Sequence, residues 1–182
     1  MEAGGVPLMG VEIERKFLLR DQTWRAVIES SEPIRQGYLL GAGIESAPGG
    51  PGASVRVRIG GARAWLNIKQ AVAGMERAEF EYPIPHADAE GMLATLCRGT
   101  LEKTRHRVQV GGTMFEVDEF AGENTGLIVA EVELPAVDAP FARPAWLGPE
   151  VTALRRYYNA ALVGHPYCRW SEVERVAEDA AC

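Results

Sequence analysis

The chain has 182 residues, 47% of them hydrophobic, and a formal net charge of −6. That is enough apolar material for one globular core, and the acidic balance excludes a general nucleic-acid binder, which needs a basic surface. No apolar run approaches the ~18 residues of a membrane span, so no membrane partner is expected.

Residues 1–10 read as a lead-in punctuated by glycine and proline, without the basic start and apolar centre of a secretory signal. Val11–Leu19 predicts a first strand. Asp21 is placed to cap a short helix running to Ile28, and Pro33–Leu40 predicts a second strand. Gly41–Ala53 is a loop rich in glycine and proline, expected to be mobile. Ser54–Ile59 and Arg63–Gln70 read as a hairpin turning at Gly60-Gly61. Ala71–Glu76 reads as a loop and Arg77–Ile84 as a fifth strand, followed by a helix over Asp88–Leu96. Leu101–Val110 and Thr113–Phe120 form a second hairpin at Gly111-Gly112, and Leu127–Leu134 is the eighth strand. Pro135–Pro149 holds four prolines and is read as irregular, Val151–Ala161 as a helix, and residues 165–182 as a peripheral tail. Residues 11–164 are therefore expected to form a single domain.

The charges on these strands are segregated by parity. Successive strand side chains point to opposite faces. Glu12, Glu14 and Lys16 therefore share a face opposite Val11, Ile13 and Phe17. Arg56 with Arg58, Glu79 with Glu81, Lys103 with Arg105 and Arg107, Glu116 with Asp118, and Glu131 with Glu133 repeat the pattern, and Lys69 joins it. One such strand is an ordinary wet face of an antiparallel sheet. A whole set of nearly pure acidic or pure basic faces is not, because like charges at neighbouring positions repel. Acidic and basic strands lining a common lumen explain it: the cations hold a polyanion and the carboxylates its divalent metals. The fold expected is α+β but mostly β, an eight-stranded antiparallel closed barrel with a charged lumen and a few flanking helices. Closing the sheet also removes its edges.

Several chemistries are excluded by what is missing. No P-loop occurs, since Gly49–Gly52 lacks the following lysine. His86, His106 and His165 have no zinc-ligand spacing, and Ser54 lies in no nucleophile elbow. Cys97, Cys168 and Cys182 form neither a disulfide framework nor a metal pair, so reduced thiols and a cytoplasmic location are expected. Hard oxygen ligands dominate, which suits magnesium or manganese.

The segment Glu12-Ile13-Glu14-Arg15-Lys16-Phe17-Leu18 resembles the signature of the CYTH superfamily, the triphosphate tunnel metalloenzymes. The likeness continues through Arg35-Gln36-Gly37-Tyr38-Leu39, Val55-Arg56-Val57-Arg58, Ile68-Lys69, Glu79-Phe80-Glu81 and Glu102-Lys103-Thr104-Arg105. It runs on through Phe115-Glu116-Val117-Asp118, Val129-Ala130-Glu131-Val132-Glu133, Glu150-Val151-Thr152 and Arg156-Tyr157-Tyr158-Asn159, covering roughly residues 11–162. The resemblance implies a short, bacterial, single-domain member. It further implies phosphate binding by Lys16, Arg56, Arg58, Lys69, Lys103, Arg105 and Arg156. Metal or water ligation falls to Glu12, Glu14, Glu79, Glu81, Asp118, Glu131 and Glu133. Two magnesium or manganese ions per site are implied, the first on Glu12, Glu131 and Glu133. Tyr38 is implied to pair with Lys16, whose ammonium would lower the phenol pKa and make Tyr38 a general base at alkaline pH.

The activity this implies is divalent-metal-dependent hydrolysis of the terminal phosphate of a triphosphate, with inorganic tripolyphosphate as the small-molecule substrate. A thiamine triphosphatase or an adenylate cyclase is the alternative within the family, and a non-catalytic polyphosphate-binding module the alternative outside it. The oligomeric state stays open, with a homodimer as one form.

Overall fold

The computed structural model describes residues 10–40, 53–70 and 76–175. The lead-in, the Gly41–Ala53 loop, the Ala71–Glu76 loop and the end of the tail fall wholly or almost wholly outside these residues. Nine strands are described: β1 (Gly10–Leu19), β2 (Ile28–Leu40), β3 (Ala53–Gly60), β4 (Arg63–Gln70), β5 (Glu76–Pro83), β6 (Thr100–Val110), β7 (Thr113–Phe120), β8 (Ile128–Glu133) and β9 (Leu147–Glu150). Three α-helices accompany them: α1 (His86–Thr95), α2 (Asn159–Gly164) and α3 (Glu172–Arg175).

The strands form one antiparallel sheet in the order β5-β4-β3-β2-β6-β7-β8-β1-β9, and β1 also pairs with β5. Eight strands thereby make a ring, whose seam among the described residues runs from Gly10↔Glu79 to Ile13↔Glu76. Beyond Ile13, β1 takes β9 as its neighbour, at Phe17↔Glu150 and Leu19↔Leu147. Closure by hydrogen bonding is therefore partial, and the expected closed barrel holds at one end of this seam only. The ninth strand lies within the stretch expected to be irregular. Proline is tolerated on an edge strand, where no ladder N–H is needed, and Pro149 sits in the edge strand β9.

Local chemistry sets the turns. Gly111 and Gly112 both have positive φ (54° and 82°), which a two-residue hairpin between right-twisted strands requires. The β3–β4 turn falls one residue later than expected: Gly60 still pairs with Arg63, and Gly61 takes the positive φ. Asp21 Oδ1 accepts from the backbone N–H of Thr23 at 2.8 Å, opening a 3-10 helix at Thr23–Val27 instead of an α-helix. β2 begins at Ile28, five residues before the expected start, because Ser30, Ser31 and Glu32 pair with β6.

Outward-facing residues build two cores. Phe17, Phe115, Val117, Ala130 and Val132 pack with Trp24, Trp146 and Leu147, with Phe141 and Ala142 against them. Val57, Ile59 and Ala64 pack under Ala89 and Leu93 of α1. A Cβ on Gly37 would lie 2.7 Å from Cys97 Sγ and 3.0 Å from Leu93, so glycine there lets the α1 region sit against β2. Each fully buried large apolar side chain contributes roughly 1.5–3 kcal/mol.

A third core lies inside the ring. Leu101, Phe120 and Val129 share the parity of Lys103, Asp118 and Glu131, and they pack with Val151, Tyr157, Leu162 and Trp170. The expected helix over Val151–Ala161 resolves into a 3-10 turn at Arg155–Tyr157 and then α2. Its first residues are committed to β1: Val151 N–H donates to Lys16 O at 2.8 Å, and Thr152 Oγ1 accepts from Lys16 N–H at 3.0 Å. The tail expected at the periphery buries Trp170, edge-on to Tyr157 (5.0 Å between centroids) and Tyr167 (5.1 Å).

Candidate active site

The lumen has two walls. On β6, β7, β8 and β1, register sets bases beside acids: Lys16↔Glu131, Arg105↔Asp118 and Arg107↔Glu116. Lys16 (3% exposed) bonds Glu14 and Glu131. Arg105 grips Asp118 with Nε and Nη2 (both 2.7 Å), reaches Glu131 Oε2 with Nη2 at 2.6 Å, and bonds Glu116. Lys103 bonds Asp118, which is fully buried. Burial opposes the charges of Lys16, Lys103, Arg105 and Glu131. For Lys16, Glu131 and Glu14 outweigh burial and hold the ammonium above the ordinary lysine pKa. For Glu131, Lys16, Arg105 and Lys103 outweigh it and hold the carboxyl well below the usual range. For Lys103, burial and then Arg105 prevail, and its pKa is pushed down to about 8.

The opposite wall is β3, β4 and β5. Lys69 Nζ lies 3.0 Å from Glu79 Oε2, Arg58 Nη2 2.8 Å from Glu81 Oε2, and Arg56 Nη2 3.9 Å from Glu79 Oε1. Arg58 also lies over Trp65, 5.0 Å from the ring centroid. Burial, then Arg56, push the Arg58 guanidinium down, and Arg105 of the other wall adds to this; the β1–β5 pairing joins the two walls into one ring. Tyr38 of β2 lies between them, within the fields of Arg56, Lys16 and Glu131.

Two register pairs set acid beside acid. Glu14↔Glu133 and Glu116↔Glu131 set carboxylates directly opposite one another, which destabilises a sheet. These four, with Arg105, line a cavity of about 600 Å³ rimmed by Thr113, Pro135 and Phe141. That cluster of hard-oxygen donors fits a divalent cation. Among the described residues no three acidic, histidine or cysteine side chains already stand as a ligand set. Glu14, Glu116 and Glu131 face Lys16 and Arg105 instead. The Glu12 side chain lies outside the described residues; its backbone pairs with Arg77.

The structure thus brings Lys16, Tyr38, Arg56, Arg58, Lys69, Lys103, Arg105, Glu14, Glu79, Glu81, Asp118, Glu131 and Glu133 to the inward parity. Arg156 comes from a 3-10 turn and not from a strand; its half-buried guanidinium lies over Tyr157 (5.1 Å) and Trp170 (5.7 Å) of the plug. The expected lowering of the Tyr38 pKa is contradicted. Burial raises the phenol, and the pull of Arg56 and Lys16 does not offset it.

Two buried amides went unread in the sequence. Gln36 Nε2 donates to Tyr38 Oη at 3.2 Å, and Asn67 Nδ2 donates to both Glu79 (3.0 Å) and Glu81. Their signal was parity: Gln36 precedes Tyr38 by two residues, and Asn67 precedes Lys69 by two. Among the described residues, four buried atoms of β2, β3 and β4 lack a hydrogen-bond partner: Gln36 Oε1, Asn67 Oδ1, and the Nε atoms of Arg56 and Arg58. Buried polar groups are rarely left so, and such a cluster is expected where a ligand completes the bonding.

A ring of antiparallel strands with inward cations and acids is the architecture of the CYTH family, and the chain belongs to it: the CYTH domain matches residues 10–161. The chain is 39% identical over 165 residues to an inorganic triphosphatase of Acetivibrio thermocellus, covering 90% of this chain and all of that one. It is 36% identical over 157 residues to an inorganic triphosphatase of Nitrosomonas europaea, covering 83% and 95%. The crystal structure of the inorganic triphosphatase NE1496 superposes with a TM-score of 0.58 at 32% identity, covering 85% of this chain and 95% of that one. A putative adenylate cyclase from Bacillus halodurans shares the fold at 16% identity, with a TM-score of 0.55 over 70% of this chain and 82% of that one.

Proposed function

We propose that this protein is a metal-dependent inorganic triphosphatase that hydrolyses tripolyphosphate to diphosphate and phosphate. The observation that carries the reading is the meeting of Lys16, Lys103, Arg105 and Arg56, all buried or nearly so, with Arg58 and Lys69 inside one lumen. Six cations converging on an enclosed space far exceed what a sheet needs for stability, and they suit a chain of phosphates. The full-length likeness to two inorganic triphosphatases supports tripolyphosphate over a nucleotide.

Phosphoryl transfer asks chiefly for positioning and charge stabilisation. Arg56, Arg58, Lys69, Lys103 and Arg105 grip the phosphate oxygens and balance the charge that moves to the leaving diphosphate. Asp118 holds the guanidinium of Arg105 and the ammonium of Lys103 in place. Lys16, held charged by Glu14 and Glu131, adds a cation beside the acidic strands. Magnesium or manganese, held by Glu12, Glu14, Glu131 and Glu133 with Glu79 and Glu81 across the lumen, supplies further charge neutralisation and Lewis acidity when bound. We keep Arg156 among the proposed phosphate ligands; its half-buried side chain lies over Tyr157 and Trp170.

No helix among the described residues is long and apolar enough to cross a membrane. We place the protein in the cytoplasm because Cys97 and Cys168 are free thiols. Phosphate release from tripolyphosphate, ATP and thiamine triphosphate, each with magnesium and with manganese, tests the reading. Fastest turnover of tripolyphosphate is expected. Cyclic nucleotide formation from ATP exceeding phosphate release would overturn it.

A further inference from the structure

Asn67 is fully buried, stands opposite Arg56 on β3 and Glu81 on β5, and carries no charge. Both protons of its Nδ2 are spent on the next strand, on Glu79 Oε1 and Glu81 Oε2. These are the same oxygen atoms that the lumen cations approach. Arg56 Nη2 lies 3.9 Å from Glu79 Oε1, outside hydrogen-bond reach, and Arg58 Nη2 lies 2.8 Å from Glu81 Oε2. The amide therefore competes with two guanidiniums for two carboxylates. Its Oδ1 has no partner, so the side chain is held by its donors alone.

We propose that Asn67 is a positioning residue that keeps Glu79 from closing on Arg56, and so sets the affinity of this wall for phosphate. The proposal rests on the triphosphatase reading, because it takes phosphate as the anion these arginines serve. Without the amide, Glu79 Oε1 loses its neutral donor, and the Arg56 guanidinium stands 3.9 Å away. A carboxylate–guanidinium contact is among the stronger pairings available. A phosphate chain must then break that contact before it binds.

The test is calorimetric binding of tripolyphosphate in the presence of EDTA, where metal ligation plays no part. Asn67→Leu is expected to weaken binding about tenfold, and Asn67→Ser, which retains one donor, about threefold. In a Glu79→Gln/Glu81→Gln background there is no carboxylate to restrain, and Asn67→Leu should change affinity by less than about twofold. A purely structural role would lower the melting temperature and leave the affinity of the folded fraction alone. Unchanged affinity in Asn67→Leu, or a tenfold loss that persists in the double-glutamine background, would overturn the proposal. So would failure of both the leucine and the serine variants to fold. Absence of binding by the wild type would defeat the triphosphate reading itself, and this proposal with it.

Discussion

Replacing Glu131 with glutamine tests the buried ion-pair network at its centre. One carboxylate oxygen serves Lys16 Nζ and the other serves Arg105 Nη2. Two charge-assisted hydrogen bonds contribute about 3–6 kcal/mol, at roughly 1.5–3 kcal/mol each. Glutamine keeps one acceptor oxygen, but its amide donors then face a cation. Lys16 retains Glu14, and Arg105 retains Asp118 and Glu116, so neither cation is stranded. The net loss is about 3 kcal/mol, below the full cost of breaking an isolated buried pair. At roughly 2–4 °C per kcal/mol for a chain of this size, the melting temperature falls by about 9 °C. The acid limb adds a second signature. The folded carboxyl is held well below the unfolded glutamate value of about 4.3, so its stabilisation is complete above about pH 5 and lost as pH falls further. Calorimetric melting from pH 3 to 8 should show wild-type stability declining below pH 5, with a shallower decline in the variant. A shift under about 3 °C at pH 7 would mean that Lys16 and Arg105 do not depend on Glu131, and the argument would fail.

Three further outcomes are expected. Because burial raises the Tyr38 phenol, Tyr38→Phe should lower kcat by less than about fivefold and leave the alkaline limb of the rate profile in place; a hundredfold loss would restore the tyrosine as a base. Lys103, with its pKa pushed down to about 8 by burial and Arg105, loses its charge at mildly alkaline pH. Metal-free tripolyphosphate binding should therefore weaken between about pH 8 and 10, and Lys103→Met should abolish that dependence. Trp170→Ala empties the plug inside the ring. It should cost about 4 kcal/mol and about 12 °C of melting temperature, whereas a peripheral tail would show almost no change.

The parts of the fold that were readable in the sequence were those written in short-range chemistry. β4 and β7 match their expected limits, because each starts after a glycine-containing turn and alternates cleanly. The inward parity of the charged strands was equally plain, since no apolar core accepts runs such as Arg56-Val57-Arg58 on both faces. β9 was hidden because its strand character comes from pairing with β1, while Pro149 argued locally against it. The Val151–Tyr158 segment has helical composition, yet hydrogen bonds to Lys16 hold its start against β1. The burial of Trp170 was hidden for a related reason: a plug at the end of the chain is specified by long-range packing, which periodicity does not report. Asn67 and Gln36 escaped notice because an uncharged amide on a strand looks ordinary until its partners are known.

The buried cations of one lumen serve a phosphate chain, and that is the central claim. Its most direct test is the rate of phosphate release from tripolyphosphate with magnesium or manganese, measured for the wild type and for Arg105→Ala, whose guanidinium touches Asp118, Glu116 and Glu131. Metal-dependent turnover by the wild type and a loss of at least about hundredfold in the variant are predicted, corresponding to about 2.7 kcal/mol of transition-state stabilisation. A folded wild type that neither binds nor cleaves tripolyphosphate with either metal would contradict it.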